Sequence, residues 1–215
     1  MSMGNILVIG DPGSGKTRLI FRYISDYDKI VWVTTIKSAE RVRKELNHFN
    51  FKELWVVDTH TWQRRATHTK YDVVVSNPLN LNEVSLSVGK VLDNVKSDYF
   101  LAFDSISGLL LYHHAPKVIQ FLRNLVVRLE SEGGRGIFTL VKNAHDVHTE
   151  TSVSLIFNNI IQLERIFNGD SVKRLVKVVR ASRYIEPEVS EFRVTSNGIE
   201  LDPNLDSFIR EELKR

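Results

Sequence analysis

The 215-residue sequence contains no cysteine, which excludes disulfides, Cys-ligated zinc and thiol catalysis. It also lacks any apolar run near the ~20 residues that span a bilayer. The chain enters the apolar residues 6–9 almost at once, in place of a signal peptide, so a cytoplasmic location is expected. Internal repeats and low-complexity linkers are missing, as are an H-E-x-x-H-like helix, a helix-turn-helix and a zinc module. Seven histidines are the only soft metal ligands left. Charge of one sign is also scarce: 29 Lys and Arg stand against 26 Asp and Glu, for a net charge of +3 and a pI near 9.1. Such a balance permits nucleic-acid contact without arguing for it, because a dedicated binder concentrates its charge in a patch.

What is present fits one soluble α/β domain over residues 1–215: 42% hydrophobic and 26% charged residues, on a chain long enough for one sizeable core and too short for two. A strand over 5–9 leads through a glycine-rich turn to an amphipathic helix over 16–25. Strands are predicted at 30–34, 54–57, 71–75, 99–103 and 136–142. Helices fall between them: a polar one over 39–48 capped by Ser38, one over 81–95, and one that starts near Pro116 and ends at Gly133-Gly134. Residues 59–69, with His60, Arg64, Arg65 and His68, read as a loop or broken helix. The alternation predicts a mainly parallel sheet covered on both faces. Beyond about residue 158 the texture changes. Segments at 160–163, 174–179, 191–195 and 199–201, with turns at Asn168-Gly169-Asp170 and Asn197-Gly198, predict antiparallel strands, and 205–213 a closing helix.

Gly10-Asp11-Pro12-Gly13-Ser14-Gly15-Lys16-Thr17 matches G-x-x-x-x-G-K-[ST] with a strand before it and a helix after it, the context that gives the pattern meaning. Glycines let the loop wrap its N–H groups around phosphate oxygens, and the helix that follows presents its positive end to the same charge. Lys16 is expected to reach the β- and γ-phosphates and Thr17 to ligate magnesium. The strand Tyr99-Phe100-Leu101-Ala102-Phe103 ends in Asp104, the carboxylate expected to hold the metal's water shell. Lys16 and Asp104 are thus the candidate catalytic groups, and Mg-ATP the expected ligand. Outside the loop no motif reads the base, so GTP is not distinguished.

Asp104-Ser105-Ile106-Ser107-Gly108-Leu109 resembles the acid-strand segment of the RecA superfamily, in its KaiC and RadA branch. Residues 176–182, 191–195 and Gly198-Ile199 look like the closing hairpin region of KaiC-like domains, so the likeness covers nearly the whole chain. It implies a RecA-like three-layer sandwich of archaeal type that binds ATP at a subunit boundary, in rings or filaments, with a basic residue reaching the neighbour's phosphate. Arg180 matches that place. The lysine of the family's Lys-x-Arg pattern falls on Val178, and Lys177 is expected to point to the other face of its strand. The family's second strand ends in a carboxylate pair that activates water, whereas Ile36 and Lys37 occupy those places here. Their presence predicts binding with slow or absent turnover, in a nucleotide-dependent switch for assembly or for a protein partner. Glu40 and Asp58 are the substitute carboxylates in reach. The rival readings are a DNA-associated recombinase paralogue and an active signalling or motor ATPase.

Among the other polar residues, His113-His114 and His145, Asp146 and His148 invite a metal reading without the spacing for one. Lys142 and Asn143, at the end of the strand over 136–142, are candidates for sensing the γ-phosphate. Lys173, Arg174, Lys177, Arg180 and Arg183 form the one basic cluster, which a solvated strand face explains as well as subunit or nucleic-acid contact does. Trp32, Trp55 and Trp62 read as core or core-edge residues.

Overall fold

The structure, a computed structural model, describes residues 4–62, 69–96, 98–169, 171–195 and 198–214. Arg64, Arg65 and His68 of the predicted loop, Asp170 of the first turn and Asn197 of the second lie outside the described residues. The central strands are β1 (Asn5–Gly10), β2 (Lys29–Thr34), β3 (Glu53–Asp58), β5 (Tyr99–Asp104) and β6 (Arg135–Val141), with the short β4 (Asp72–Val74) beyond β3. Every residue of β1 and β5 is buried, which is why both read as unbroken apolar runs: a strand covered on both faces has no polar side. On the far flank lie β7 (Asn159–Asn168), β8 (Ser171–Arg180) and β9 (Val189–Glu191). The described strands pair in the order β4-β3-β2-β5-β6-β1-β7-β8-β9.

Within this sheet, pairing is parallel from β4 across to β7 and antiparallel at β8 and β9. The expectation that 160–163 belongs to an antiparallel set is therefore corrected on one side. β7 runs parallel to β1 and antiparallel to β8, because the short helix α6 (Val147–Ser154) carries the chain across from β6 and returns it in the same direction. A second correction concerns the end of β8. Ile161 pairs with Val178 but Ile160 pairs with Arg180, so a bulge inserts Val179. Lys177, opposite Gln162, thus shares a face with Arg180 instead of opposing it.

The helices divide between the two faces of the sheet. α1 (Lys16–Ile24), α2 (Ala39–Glu45) and α7 (Pro203–Lys214) pack on one face; α3 (Leu81–Val95), α4 (Ile106–Leu110) and α5 (Ala115–Ser131) cover the other. In α3 the buried Val84, Val88, Val91, Leu92 and Val95 recur at helical spacing, and Asn80 accepts the Asn82 amide at its start. Ser38 accepts the Arg41 amide ahead of α2. The predicted strand over 191–195 is split at Phe192, a buried side chain of the α1-side core. Beyond it β10 (Arg193–Thr195) pairs antiparallel with β11 (Gly198–Glu200). α7 is tied down at both ends. Asp206 accepts two 2.7 Å bonds from Arg22 and one of 2.9 Å from Tyr23, and the buried Glu212 accepts from Asn159 and Ser182.

Candidate functional site

The loop over residues 10–17 leaves β1 at the C-terminal edge of the parallel strands and enters α1. Gly13 and Gly15 have φ of +75° and +113°, conformations that side chains with a Cβ resist, and these turns curl the loop over the start of α1. Lys16, 8% exposed, folds into the loop: its Nζ donates to Gly10 O at 2.6 Å and Asp11 O at 2.9 Å. Burial lowers its pKa to about 8, against the carboxylates of Asp104 and Asp11 and with the help of the Arg165 guanidinium. Ser14 Oγ is buried inside the loop without a hydrogen-bond partner.

Asp104, at the end of β5, is 2% exposed and is held from two sides. Thr17 Oγ1 donates to its Oδ2 at 3.0 Å and Thr139 Oγ1, from β6, to its Oδ1 at 2.9 Å. A helix-borne hydroxyl and a strand-borne carboxylate therefore meet beside the Lys16 amine. Both are hard oxygen donors, the set that suits a hydrated Mg²⁺, and the orphaned Ser14 hydroxyl and the α1 N-terminus suit phosphate. The residues present fit Mg²⁺ and a polyphosphate. Thr139 was not legible as part of this site, because only the β5–β6 pairing brings it to Asp104.

The remaining sequence candidates fall into different surroundings. Ile36 is 47% exposed and Lys37 pairs with Glu45 at 2.7 Å, so neither place after β2 holds a carboxylate. Glu40 is an exposed residue in the first turn of α2. Asp58 is fully buried and already used. It accepts the amides of Ala39, His60 and Thr61 at 2.7–2.8 Å and the Thr61 hydroxyl at 2.6 Å, a staple between β3, its following turn and α2.

Lys142 donates its backbone amide to Gly10 O, which sets it against the loop, but its amine is bound to Glu164 at 3.2 Å. Asn143 takes a positive φ of 57° at the same strand end. Arg180 donates to Ser154 O and Phe157 O, both at 3.1 Å, and so closes the end of α6. It lies opposite Ile160, which pairs with Leu7, below the level of Gly10. Ile160 faces the α5-side core, away from α1 and the loop, so Arg180 does not meet the loop of its own chain.

The basic cluster is largely neutralised, Lys173 by Glu191, Lys177 by Glu164 and Arg183 by Glu211 and Glu212. Asp146 caps α6 through Thr149, His113 Nε2 lies 2.9 Å from Pro78 O, and among the described residues no group of three or more His, Asp or Glu is placed to hold a metal ion. Trp32 is a core residue against Phe21, and Trp55 packs edge-on to Tyr71. Trp62 departs from the core expectation at 43% exposure.

One residue the sequence did not single out stands at the loop. Arg165, from β7, donates its Nη2 to Pro12 O at 2.6 Å. Only the register of β7 against β1 reveals it, and no local motif marks it.

No curated protein matches the chain. Among solved structures, the KaiC-like protein PH0186 from the hyperthermophilic archaeon Pyrococcus horikoshii OT3 is similar with a TM-score of 0.71 and 18% identity, over 93% of this chain and 89% of that one. The likeness establishes the RecA-like α/β fold that the strand order describes. At the level of sequence families, the model of DUF7504, a family of unknown function, matches residues 4–163, and the chain belongs to that family.

Proposed function

We propose that this chain binds Mg-ATP at residues 10–17, as a KaiC-like protein of archaeal type in one domain over residues 1–215, and acts as a nucleotide-dependent assembly or partner switch with slow or absent hydrolysis. The observation that carries the reading is the Thr17–Asp104 hydrogen bond of 3.0 Å beside the buried Lys16. A P-loop sequence alone supplies a phosphate cradle. The hydroxyl and carboxylate converging on it supply the two oxygens that orient a hydrated magnesium ion. Bound Mg²⁺ would neutralise phosphate charge; Thr17 and Asp104 would hold it, and Lys16 would leave the Gly10 and Asp11 carbonyls for phosphate oxygens.

Slow turnover follows from what surrounds the site. Ile36 and Lys37 stand where a water-activating pair is needed, Asp58 has its lone pairs committed to four donors, and Glu40 is on the helix surface. Without a positioned base, binding energy is available to favour one conformation over another, which is sufficient for a switch. Assembly with nucleotide at a subunit boundary is part of the same reading: Arg180, remote from its own loop, would leave the Ser154 and Phe157 carbonyls to reach a phosphate in a second copy.

The test is a paired Mg-ATP titration and turnover assay on wild type and Lys16→Ala, with light scattering on the same samples. Binding and assembly without hydrolysis, both lost in Lys16→Ala, are expected. Appreciable hydrolysis would overturn the switch reading in favour of an active ATPase, and no binding by wild type would overturn the nucleotide reading itself.

A further inference from the structure

β7 outruns β1. Gly10, the last residue of β1, pairs with Leu163, yet β7 continues to Asn168, so its end stands as a wall beside the phosphate loop. Successive side chains of a strand alternate between its faces. Ile161 and Leu163 lie in the α1-side core, and Arg165 is the next residue on that face, at the height of the loop. Its Nη2 is bonded to Pro12 O, and its guanidinium atoms lie 3.1–3.6 Å from where a Cβ on Gly13 would stand.

Arg174 is directly opposite Arg165 in the β7–β8 ladder. Like charges in that relation repel, whereas the lysines of β8 are matched by carboxylates, Lys177 by Glu164 and Lys173 by Glu191. Among the described residues neither Arg165 nor Arg174 has a carboxylate partner, and the Nε of each is buried without a hydrogen-bond acceptor. Two arginines paired across the ladder, each with an unused Nε donor and one of them bonded to the lip of the phosphate loop, make a seat for an anion of more than one charge.

We propose that Arg165, backed by Arg174, is a phosphate-binding residue supplied within the chain: it leaves the Pro12 carbonyl and takes the terminal phosphate of a nucleoside triphosphate held in the loop. The assignment rests on the nucleotide reading above. The terminal phosphate is singled out by position, because the Lys16 amine, the group that reaches the β- and γ-phosphates in such loops, now lies against the Gly10 and Asp11 carbonyls at the same end of the loop as Pro12. A single chain can then tell triphosphate from diphosphate, with no cation borrowed from a neighbour.

The experiment is calorimetric titration of Mg-ATP and Mg-ADP into wild type, Arg165→Ala, Arg165→Lys and Lys16→Ala, each checked by its melting curve without nucleotide. Loss of a charge-assisted bond to one phosphate predicts ATP binding weakened about tenfold or more in Arg165→Ala, ADP binding changed by less than about threefold, and partial recovery of ATP in Arg165→Lys. Lys16→Ala loses both nucleotides. Equal losses for ATP and ADP in Arg165→Ala, or a wild-type ATP-to-ADP ratio in both Arg165 variants, would overturn the role of Arg165 and leave the nucleotide site standing. Wild type that binds neither nucleotide would overturn both.

Discussion

The Thr17 hydroxyl donates to Asp104 Oδ2 at 3.0 Å, joining the first turn of α1 to the end of β5. The other carboxylate oxygen accepts from Thr139, so Asp104 is fixed before any ligand arrives. Asp104→Asn keeps an acceptor for one threonine and removes the charge. It is expected to fold and to retain nucleotide binding, while the gain in ATP affinity on adding Mg²⁺ falls by about tenfold or more. Titrations in Mg²⁺ and in EDTA measure this directly, and an unchanged Mg²⁺ gain in the variant would remove Asp104 from the metal site.

Asp58 accepts four hydrogen bonds while fully buried. Replacing it with alanine strands the amides of Ala39, His60 and Thr61, and a loss of about 2–4 kcal/mol in unfolding free energy is expected. Urea denaturation gives the value. A variant of wild-type stability would show that Asp58 is not a structural staple and would restore it as a candidate base.

The loop over 10–17 and its flanking strand and helix were legible because the motif is local: the glycines, Lys16 and Thr17 act within eight consecutive residues. α3 was equally plain, since its buried valines keep helical spacing. α6 was not, because Val147–Ser154 buries only Thr149 and Val153 and its one signal is the Asp146 cap. Whatever depended on register was hidden. The bulge at Val179 decides which face Arg180 shares, and the overhang of β7 past Gly10 decides that Arg165 meets Pro12. Asp58 shows a third kind of limit, for an acid at a strand end reads the same whether it awaits a proton or holds three amides.

Acid stability should depend on Asp206. Burial alone would raise its pKa, but the hydrogen bonds from Arg22 and Tyr23, the positive charge of Arg22 and a further bond from Arg210 outweigh burial and hold it below the ordinary carboxylate value. A carboxylate with a depressed native pKa contributes stability in full above its unfolded pKa of ~3.9 and loses it as pH falls through the native value. The stability gap between wild type and Asp206→Asn is therefore expected to be wide at neutral pH and to narrow as pH drops below about 4. Urea unfolding across that range tests the sign, and a gap independent of pH would show that the Arg22–Asp206 pair carries no linked stability.

Gly108 and Gly89 are both helical glycines, and their substitution by alanine should act in opposite directions. A Cβ on Gly108, in α4, would stand 2.0 Å from Thr35 Oγ1 and 2.6 Å from its Cβ. Thr35 cannot turn away freely, because its hydroxyl donates to Ser105 O at 2.7 Å and accepts the Ser105 amide at 3.0 Å, the contact that docks the end of β2 against the segment following Asp104. Gly108→Ala must therefore break that pair or push α4 outward, a loss of about 1–3 kcal/mol, and it should disturb Asp104 and weaken Mg-ATP binding as well. At Gly89, in α3, the nearest atom to an added Cβ is Arg128 Nη1 at 3.5 Å, an ordinary contact with the end of a flexible side chain. Gly89→Ala gains helix propensity without a clash and should stabilise by about 0.5–1 kcal/mol. Denaturation of both variants decides the matter: a Gly108→Ala variant as stable as wild type or more so would mean that the Thr35–Ser105 pair does not fix the approach of α4, and that this edge of the site can yield without reaching Asp104, while a destabilised Gly89→Ala would mean that the added methyl is not free of Arg128.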